Sequence, residues 1–367
     1  MRPSFRYPLC PVREADPTAR PLMARPLAGR VSETCRTGGT TEEEAPMNWL
    51  DAGLFLRGVA WRDADGRPVR ADPDDLGRLP WDVLERARVP VGVRLEFAAY
   101  GAEAVELHYR AEAGEVPHAF GLWTDGRQVS ETLADPADEA VVRLRLPPRE
   151  GPFTVYPPES QSPRFLGIRA VGGRIEPAGP RPRWVVHGDS VTEGWWSTRP
   201  AHAWPAAAGR LLGLDTVNLG YAGAARGELA TAQQLATLPA DALTLAFGTN
   251  CWGRTPFTPA LLGETLRACV ALVRQGHPHA PLLVLSPVLR PDAEHTPNAL
   301  GATLAALRTA LEDAVRKEIA AGDGRLALLP GLGLLGPEHL ADGLHPNDAG
   351  HAALAGAVAT ALGKLMA

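Results

Sequence analysis

The chain is short of cysteine, has no long apolar run and carries no excess of basic charge, and each shortage removes a class of protein. Its four cysteines, Cys10, Cys35, Cys251 and Cys269, fit neither the spacing of a disulfide framework nor that of a zinc knuckle. A reducing, cytoplasmic setting is therefore expected. No stretch suits a membrane span, and residues 1–46, with scattered Arg and Pro and the acidic run Glu42-Glu43-Glu44, contain no continuous apolar segment of the kind a secretory signal uses. The net charge of −5 comes from interspersed charges and offers no basic face to a nucleic acid. A small molecule is the expected partner, with neither nucleic acid nor membrane, and the oligomeric state is left open.

What is present is ordinary globular material. With 367 residues, 45% hydrophobic and 22% charged, the chain is long enough for two cores. Residues 1–46 read as a disordered extension or an over-long start, and Met47 opens the first globular sequence. From 47 to 175 short runs such as Val91–Phe97, Val105–Tyr109, Val141–Leu146 and Phe153–Tyr156 alternate apolar and polar residues between turn signals, which predicts an antiparallel β-sandwich or jelly-roll. A Gly/Pro-rich stretch at Gly172–Arg183 follows, with 176–183 taken as the linker. After Trp184 the period changes. Leu262, Leu266, Cys269, Val270 and Val273 share one helical face, as do Leu300, Leu304, Leu307, Leu311, Val315 and Ile319, and as do Leu354, Val358, Leu362 and Leu365. Apolar strands at 243–247, 282–285 and 326–329 stand between them, so residues 184–367 predict an α/β domain, a parallel sheet covered on both faces in three αβα layers.

The key stretch is Val185-Val186-His187-Gly188-Asp189-Ser190-Val191-Thr192-Glu193-Gly194. A buried strand ends there in small residues that force a turn and lift the Ser190 hydroxyl out of the sheet edge. It is not a G-x-S-x-G elbow, because Thr192 stands where the second glycine would be. Three further blocks follow in order: Asn218-Leu219-Gly220-Tyr221-Ala222-Gly223, Gly248-Thr249-Asn250 and Asp342-Gly343-Leu344-His345-Pro346. Ser, Gly, Asn and His blocks in this order resemble the SGNH hydrolases of the GDSL esterase/lipase superfamily, over about residues 182–367. One position departs: Cys251 and Trp252 follow Asn250 where the third block usually continues with an acid. The resemblance implies a flavodoxin-like sheet with all four blocks at its carboxyl edge, and the two-domain layout is similar to that of carbohydrate esterases with an N-terminal β-sandwich.

A serine hydroxyl needs a base to take its proton and a carboxylate to hold that base. His345 and Asp342, three residues apart, supply both, with Asn347 or Asp348 capping the helix that follows. The resemblance implies three oxyanion donors, the backbone N–H groups of Ser190 and Gly223 and the amide of Asn250, with Gly220 a rival to Gly223. Asp189 reads as a structural residue that bonds nearby amides. Cys251, with no histidine in its block, and Cys269, on an apolar helix face, read as packed thiols. Trp195, Trp196, Tyr221 and Trp252 lie beside the blocks and either stack on substrate, with Trp195, Tyr221 and Trp252 the candidates, or anchor loops.

Two other patterns compete. Gly331-Leu332-Gly333-Leu334-Leu335-Gly336 matches a dinucleotide fingerprint, yet Pro337 and the His block follow instead of a long helix. His339, Asp342, His345 and His351 could be drawn as a metal cluster, but their spacing fits no helical zinc motif. The resulting expectation is a serine esterase, metal- and cofactor-free, acting on a short acyl ester, acetyl for example, of a sugar-like or other small alcohol. An acyltransferase using the same residues, a carbohydrate-binding protein on a hydrolase scaffold and a lipase are the alternatives.

Overall fold

Apolar residues that recur at every second position in runs such as 105–109 and 141–145 put one side chain in two on a buried face, and antiparallel strands result. In the computed structural model, which describes residues 49–112, 119–133 and 137–367, the strands of this half are β1 (Leu56–Arg57), β2 (Trp61–Arg62), β3 (Pro68–Val69), β4 (Arg94–Tyr100), β5 (Ala104–Arg110), β6 (Ala119–Thr124), β7 (Arg127–Leu133), β8 (Ala140–Arg145), β9 (Gly151–Tyr156), β10 (Arg164–Val171) and β11 (Arg174–Pro177). One antiparallel sheet runs β1-β4-β9-β6-β7 with β11 added beside β4, a second runs β10-β5-β8, and β2 pairs with β3. Leu95, Phe97, Phe120, Leu122, Phe153 and Val155 of the first sheet and Val105, Leu107, Val142, Leu144 and Ile168 of the second meet in one core. The expected extension 1–46, with Cys10 and Cys35, lies outside the described residues.

The parallel half consists of β12 (Arg183–Gly188), β13 (Asp215–Gly220), β14 (Ala242–Ala246), β15 (Leu282–Leu285) and β16 (Leu326–Leu329), in the order β13-β12-β14-β15-β16. Counted within this sheet the order is 2-1-3-4-5, the flavodoxin-like arrangement, whose switch point falls between β12 and β14. Alternation along β12 serves two layers at once. Val185 packs with α4 (Leu229–Thr237), α5 (Pro259–Gly276) and α6 (Leu304–Ala320), whereas Trp184 and Val186 pack with α3 (Trp204–Leu212) and α7 (Asp348–Met366). Side-chain caps start three of these helices: Thr258 for α5, Thr303 for α6 and Asn347 for α7. Each satisfies an N–H that the helix itself leaves unpaired. Among the described residues no helix is long and apolar enough to cross a membrane.

Three sequence expectations change. Leu300 is exposed ahead of α6, which begins only at Leu304, because the apolar spacing runs through the loop into the helix. Part of the Gly/Pro-rich stretch is strand β11, paired with β4 from Arg174–Tyr100 to Pro177–Phe97, since an edge position tolerates a proline at its end. The segment between β1 and β4 is not strand throughout. It contains α1 (Trp81–Ala87), and Ala71, Leu79, Val83 and Ala87 pack with Val217 and Tyr221 in the core of the parallel half. A buried ion network joins the same two regions: Arg94 bonds Glu96 (2.6 Å) and Asp215 (3.0 Å), and Asp215 also accepts from the N–H of Gly58 (2.9 Å).

Candidate active site

Three strands, β12, β13 and β14, end side by side and deliver the Ser, Gly and Asn blocks to one edge. Beyond Gly188, Asp189 accepts the N–H of Val191 (3.0 Å) and starts α2 (Ser190–Glu193), a single turn ended by Gly194 at φ 102°. The turn can lie this close to β13 because position 220 lacks a side chain: a Cβ there would sit 2.6 Å from Cα of Glu193 and 2.7 Å from the carbonyl carbon of Thr192. Asn218 ties the two blocks together, donating to the Thr192 carbonyl (2.9 Å) and accepting the N–H of Gly220 (2.8 Å).

The loop that follows β16 brings in the histidine. Backbone bonds from Ala341 N–H to His345 O (2.8 Å) and from Asn347 N–H to His339 O (2.8 Å) close it, and Asn347 then caps α7 through the N–H of Gly350 (3.0 Å). Asp342 accepts the backbone N–H of His345 (2.7 Å) and that of Leu344 (3.0 Å) with one oxygen, and the Nδ1–H of His345 (2.8 Å) with the other. A proton at Nδ1 leaves Nε2 bare, and the Ser190 hydroxyl donates to it across 2.9 Å. Residues 155 apart in sequence thus form one hydrogen-bonded chain. Partial burial pushes the Asp342 carboxyl up, but the bonds from the His345 ring and the two backbone N–H groups win and hold it down to about 2. It is therefore an anion behind the ring at any working pH.

Gly220 and Gly223, rivals in the sequence, are separated by geometry. The N–H of Gly220 is already committed to Asn218, and its α-carbon is packed against α2. Gly223 stands at φ 73° with open space where a side chain would be, and its carbonyl accepts from Arg226 (2.8 Å). Asn250, in the turn after β14, donates one amide hydrogen to Ala224 O (2.5 Å) on the same loop, which leaves its second hydrogen uncommitted by that bond. Asp189 is buried, and that burial raises its carboxyl to about 6 against the bond from Val191. Cys251 and Cys269 are buried free thiols, and burial pushes both up, Cys269 to about 12, which makes them packed rather than nucleophilic.

The aromatic residues divide. Trp195 faces the His345 ring with centroids 5.4 Å apart and planes 33° from parallel. Trp252 donates to Thr296 O (2.8 Å) and lies under the Arg290 guanidinium at 4.6 Å, so it anchors a loop. Tyr221 cannot touch substrate as expected: it is buried at 1% exposure, and its hydroxyl donates to the carbonyl of Arg70. The four residues of the drawn metal cluster point to separate partners. His351 accepts from Trp204 N–H (3.3 Å) and donates to Trp195 O (3.1 Å), His339 accepts from Gly336 N–H (3.0 Å), and His345 and Asp342 serve Ser190. The 331–336 glycines lead into a short 3-10 turn, Pro337–His339, with no long helix to receive a pyrophosphate.

Sequence reasoning missed a buried ion cluster under the Gly block. The Glu193 carboxylate, 3% exposed, is paired with Arg86 and lies 3.8 Å from Arg70. It accepts the N–H of Ala222 (2.7 Å) and the indole N–H of Trp195 (3.2 Å). The one available signal was an acid inside a run of small and apolar residues after a buried strand.

A five-stranded parallel sheet of order 2-1-3-4-5 with its nucleophile candidate at the switch point defines a flavodoxin-like α/β fold of the SGNH type. Residues 186–353 match the model of the GDSL-like Lipase/Acylhydrolase family. Among solved structures it is similar to the salicylyl-acyltransferase SsfX3 from a tetracycline biosynthetic pathway, with 25% identity and a TM-score of 0.74 over 84% of this chain and 94% of that one. A candidate GDSL-like lipase from Bacteroides ovatus ATCC 8483 shares the fold at 21% identity and a TM-score of 0.72, covering 87% and 98%. A family two carbohydrate esterase from Clostridium thermocellum, solved with cellohexaose, shares it at 15% identity and 0.57, covering 73% and 90%. No curated protein sequence matches the chain.

Proposed function

We propose that this chain is a serine esterase that removes a short acyl group, acetyl in the simplest case, from a sugar-like or other small alcohol through an acyl-enzyme on Ser190. The observation that carries the reading is the hydrogen-bonded chain from Asp342 through His345 to Ser190. Ser190 Oγ attacks the ester carbonyl while its proton passes to His345 Nε2, and the Asp342 anion holds the ring and balances the imidazolium. The oxygen that becomes negative is met by the N–H groups of Ser190 and Gly223 and the second amide hydrogen of Asn250. Collapse expels the alcohol with the proton from His345, and a water molecule repeats the sequence to release the acid. Residues 47–175 are read as an accessory β-sandwich of jelly-roll type and 184–367 as the hydrolase domain, in a cytoplasmic enzyme that uses no metal or cofactor.

A second reading, acyl transfer to an acceptor other than water, is favoured by the likeness to the salicylyl-acyltransferase along most of both chains. It uses the same acyl-enzyme and differs only in what enters the site next. Hydrolysis of p-nitrophenyl acetate tests the shared chemistry: Ser190→Ala and His345→Ala are each expected to lose turnover by more than about 10³-fold while remaining folded. Retained turnover in either variant would exclude the mechanism. Product analysis with an added alcohol then separates the two readings.

A further inference from the structure

Under the Gly block lies a cluster of buried charge that neither the hydrogen-bonded Ser–His–Asp chain nor the oxyanion donors use. Glu193 ends α2, three residues after Ser190, and its carboxylate points toward β13 and the loop at its end. Burial alone would push its carboxyl up, yet Arg70 and Arg86 overcome that and hold it below its ordinary value. Both arginines come from the segment ahead of β4, more than a hundred residues upstream and outside the matched family domain. Arg70 is fixed by the carbonyls of Val89 (2.6 Å), Arg86 and Gly220, and its guanidinium lies over the Tyr221 ring at 5.2 Å. Arg86 lies over the Trp195 ring at 5.6 Å.

The partners of the carboxylate are the reason to assign it a role. One oxygen receives the N–H of Ala222, the residue immediately before Gly223. The other receives the indole N–H of Trp195, whose ring faces His345. A single side chain thus braces the loop that carries an oxyanion donor and the aromatic wall beside the base. Resting on the catalytic reading above, we propose that Glu193 is a positioning residue: clamped by Arg70 and Arg86, it presets the Ala222–Gly223 peptide and the Trp195 ring, so that the segment 70–86 is part of the catalytic apparatus. A carboxylate suits this task because its two oxygens accept several bonds at once and its charge fixes it between two guanidiniums.

A preset donor contributes mainly in the transition state, where the oxygen has become negative, so its misplacement lowers kcat and kcat/KM together and leaves KM unchanged. Full removal of such a donor typically costs about 10²–10³-fold, and a displaced one should cost less. Glu193→Gln keeps the size and one acceptor oxygen but removes the charge. On p-nitrophenyl acetate it is expected to lower kcat and kcat/KM in parallel by about tenfold to a hundredfold, with a melting temperature close to that of the parent.

Titration of Ser190 with a fluorophosphonate separates positioning from simple stability. A positioning role predicts that the whole population is labelled, but slowly. Labelling of only a fraction at the parent rate, or parent kinetics throughout, would overturn the proposal. If Glu193→Gln does not fold, Arg86→Met, which removes one arm of the clamp, is judged by the same two readouts. An unsubstituted protein whose Ser190 is neither labelled nor required would instead refute the catalytic reading itself, so the two failures are distinguishable.

Discussion

Adding one methyl group at Gly220 and, in a separate variant, at Gly223 asks which glycine is there for packing and which for chemistry. A Cβ on Gly220 would lie 2.6 Å from Cα of Glu193 and 2.7 Å from the carbonyl carbon of Thr192. Ordinary carbon contacts are about 3.5–4.0 Å, so α2 and the end of β13 would have to part by roughly 1 Å. Overpacking of a core typically costs about 1–3 kcal/mol, and here the added Cβ meets backbone atoms of α2 instead of a flexible side chain that could turn aside, which places Gly220→Ala near the top of that range, about 3 kcal/mol. The hydrogen bonds through Asn218 would be strained by the same movement. Gly223→Ala meets nothing within 4 Å, and its φ of 73° sets a cost of only about 1–2 kcal/mol for a non-glycine residue. Relaxing that strain turns the peptide, so activity should fall about tenfold or more while stability falls by no more than about 1–2 kcal/mol, less than in Gly220→Ala. Urea denaturation read beside p-nitrophenyl acetate turnover checks both. A Gly220→Ala protein as stable as the parent would refute the account of how the blocks pack, and a fully active Gly223→Ala protein would refute its place in the oxyanion site.

Two other predictions concern charge. Burial raises the Asp189 carboxyl from 3.8 to about 6, so the fold favours its neutral form; that contribution is complete below about pH 4 and is lost as pH rises through 6. Asp189→Asn, always neutral and still able to accept from Val191, should therefore gain stability relative to the parent between pH 4 and 7.5, by at most about 3 kcal/mol from the two pKa values; an unchanged difference in denaturation midpoints would contradict this. Asp342→Asn should lower kcat by about 10²–10³-fold at every pH, a smaller loss than at a fully buried triad acid because the Asp342 side chain is 31% exposed. With the Asp342 carboxyl held at about 2, the parent's pH–rate profile should show no break from this group between pH 5 and 9, and a break that disappears in Asp342→Asn would contradict the assignment.

Much of this was legible in the residues because the Ser, Gly and Asn blocks sit at strand ends, where a change of hydrophobic period marks both the strand and its loop, and parallel strands must deliver their carboxyl ends to one edge. Asp342 and His345 lie in a loop beyond the end of β16 at Leu329, and it was the order of the four blocks, with its likeness to the SGNH pattern, that joined them to Ser190. Leu300 misled because helical spacing continues into a loop that has the same apolar rhythm. Tyr221 misled because adjacency to a block says nothing about side: it follows Gly220 directly but turns beneath the sheet edge toward Arg70. The Glu193 cluster could not be read, since its arginines are separated from it by 107 residues or more and are indistinguishable in sequence from solvated surface charge. The difference between Gly220 and Gly223 needed distances, because both glycines follow Asn218 and nothing in the sequence says that the Gly220 N–H bonds the Asn218 side chain.

The most direct test of the central claim is to catch the acyl group on the chain. Mixing the protein with p-nitrophenyl acetate, quenching in acid within the first turnovers and mapping the modified peptide by mass spectrometry should reveal one acetyl group on Ser190, absent in Ser190→Ala. Product forming at full rate with no adduct, or an adduct elsewhere that follows the kinetics, would contradict the account.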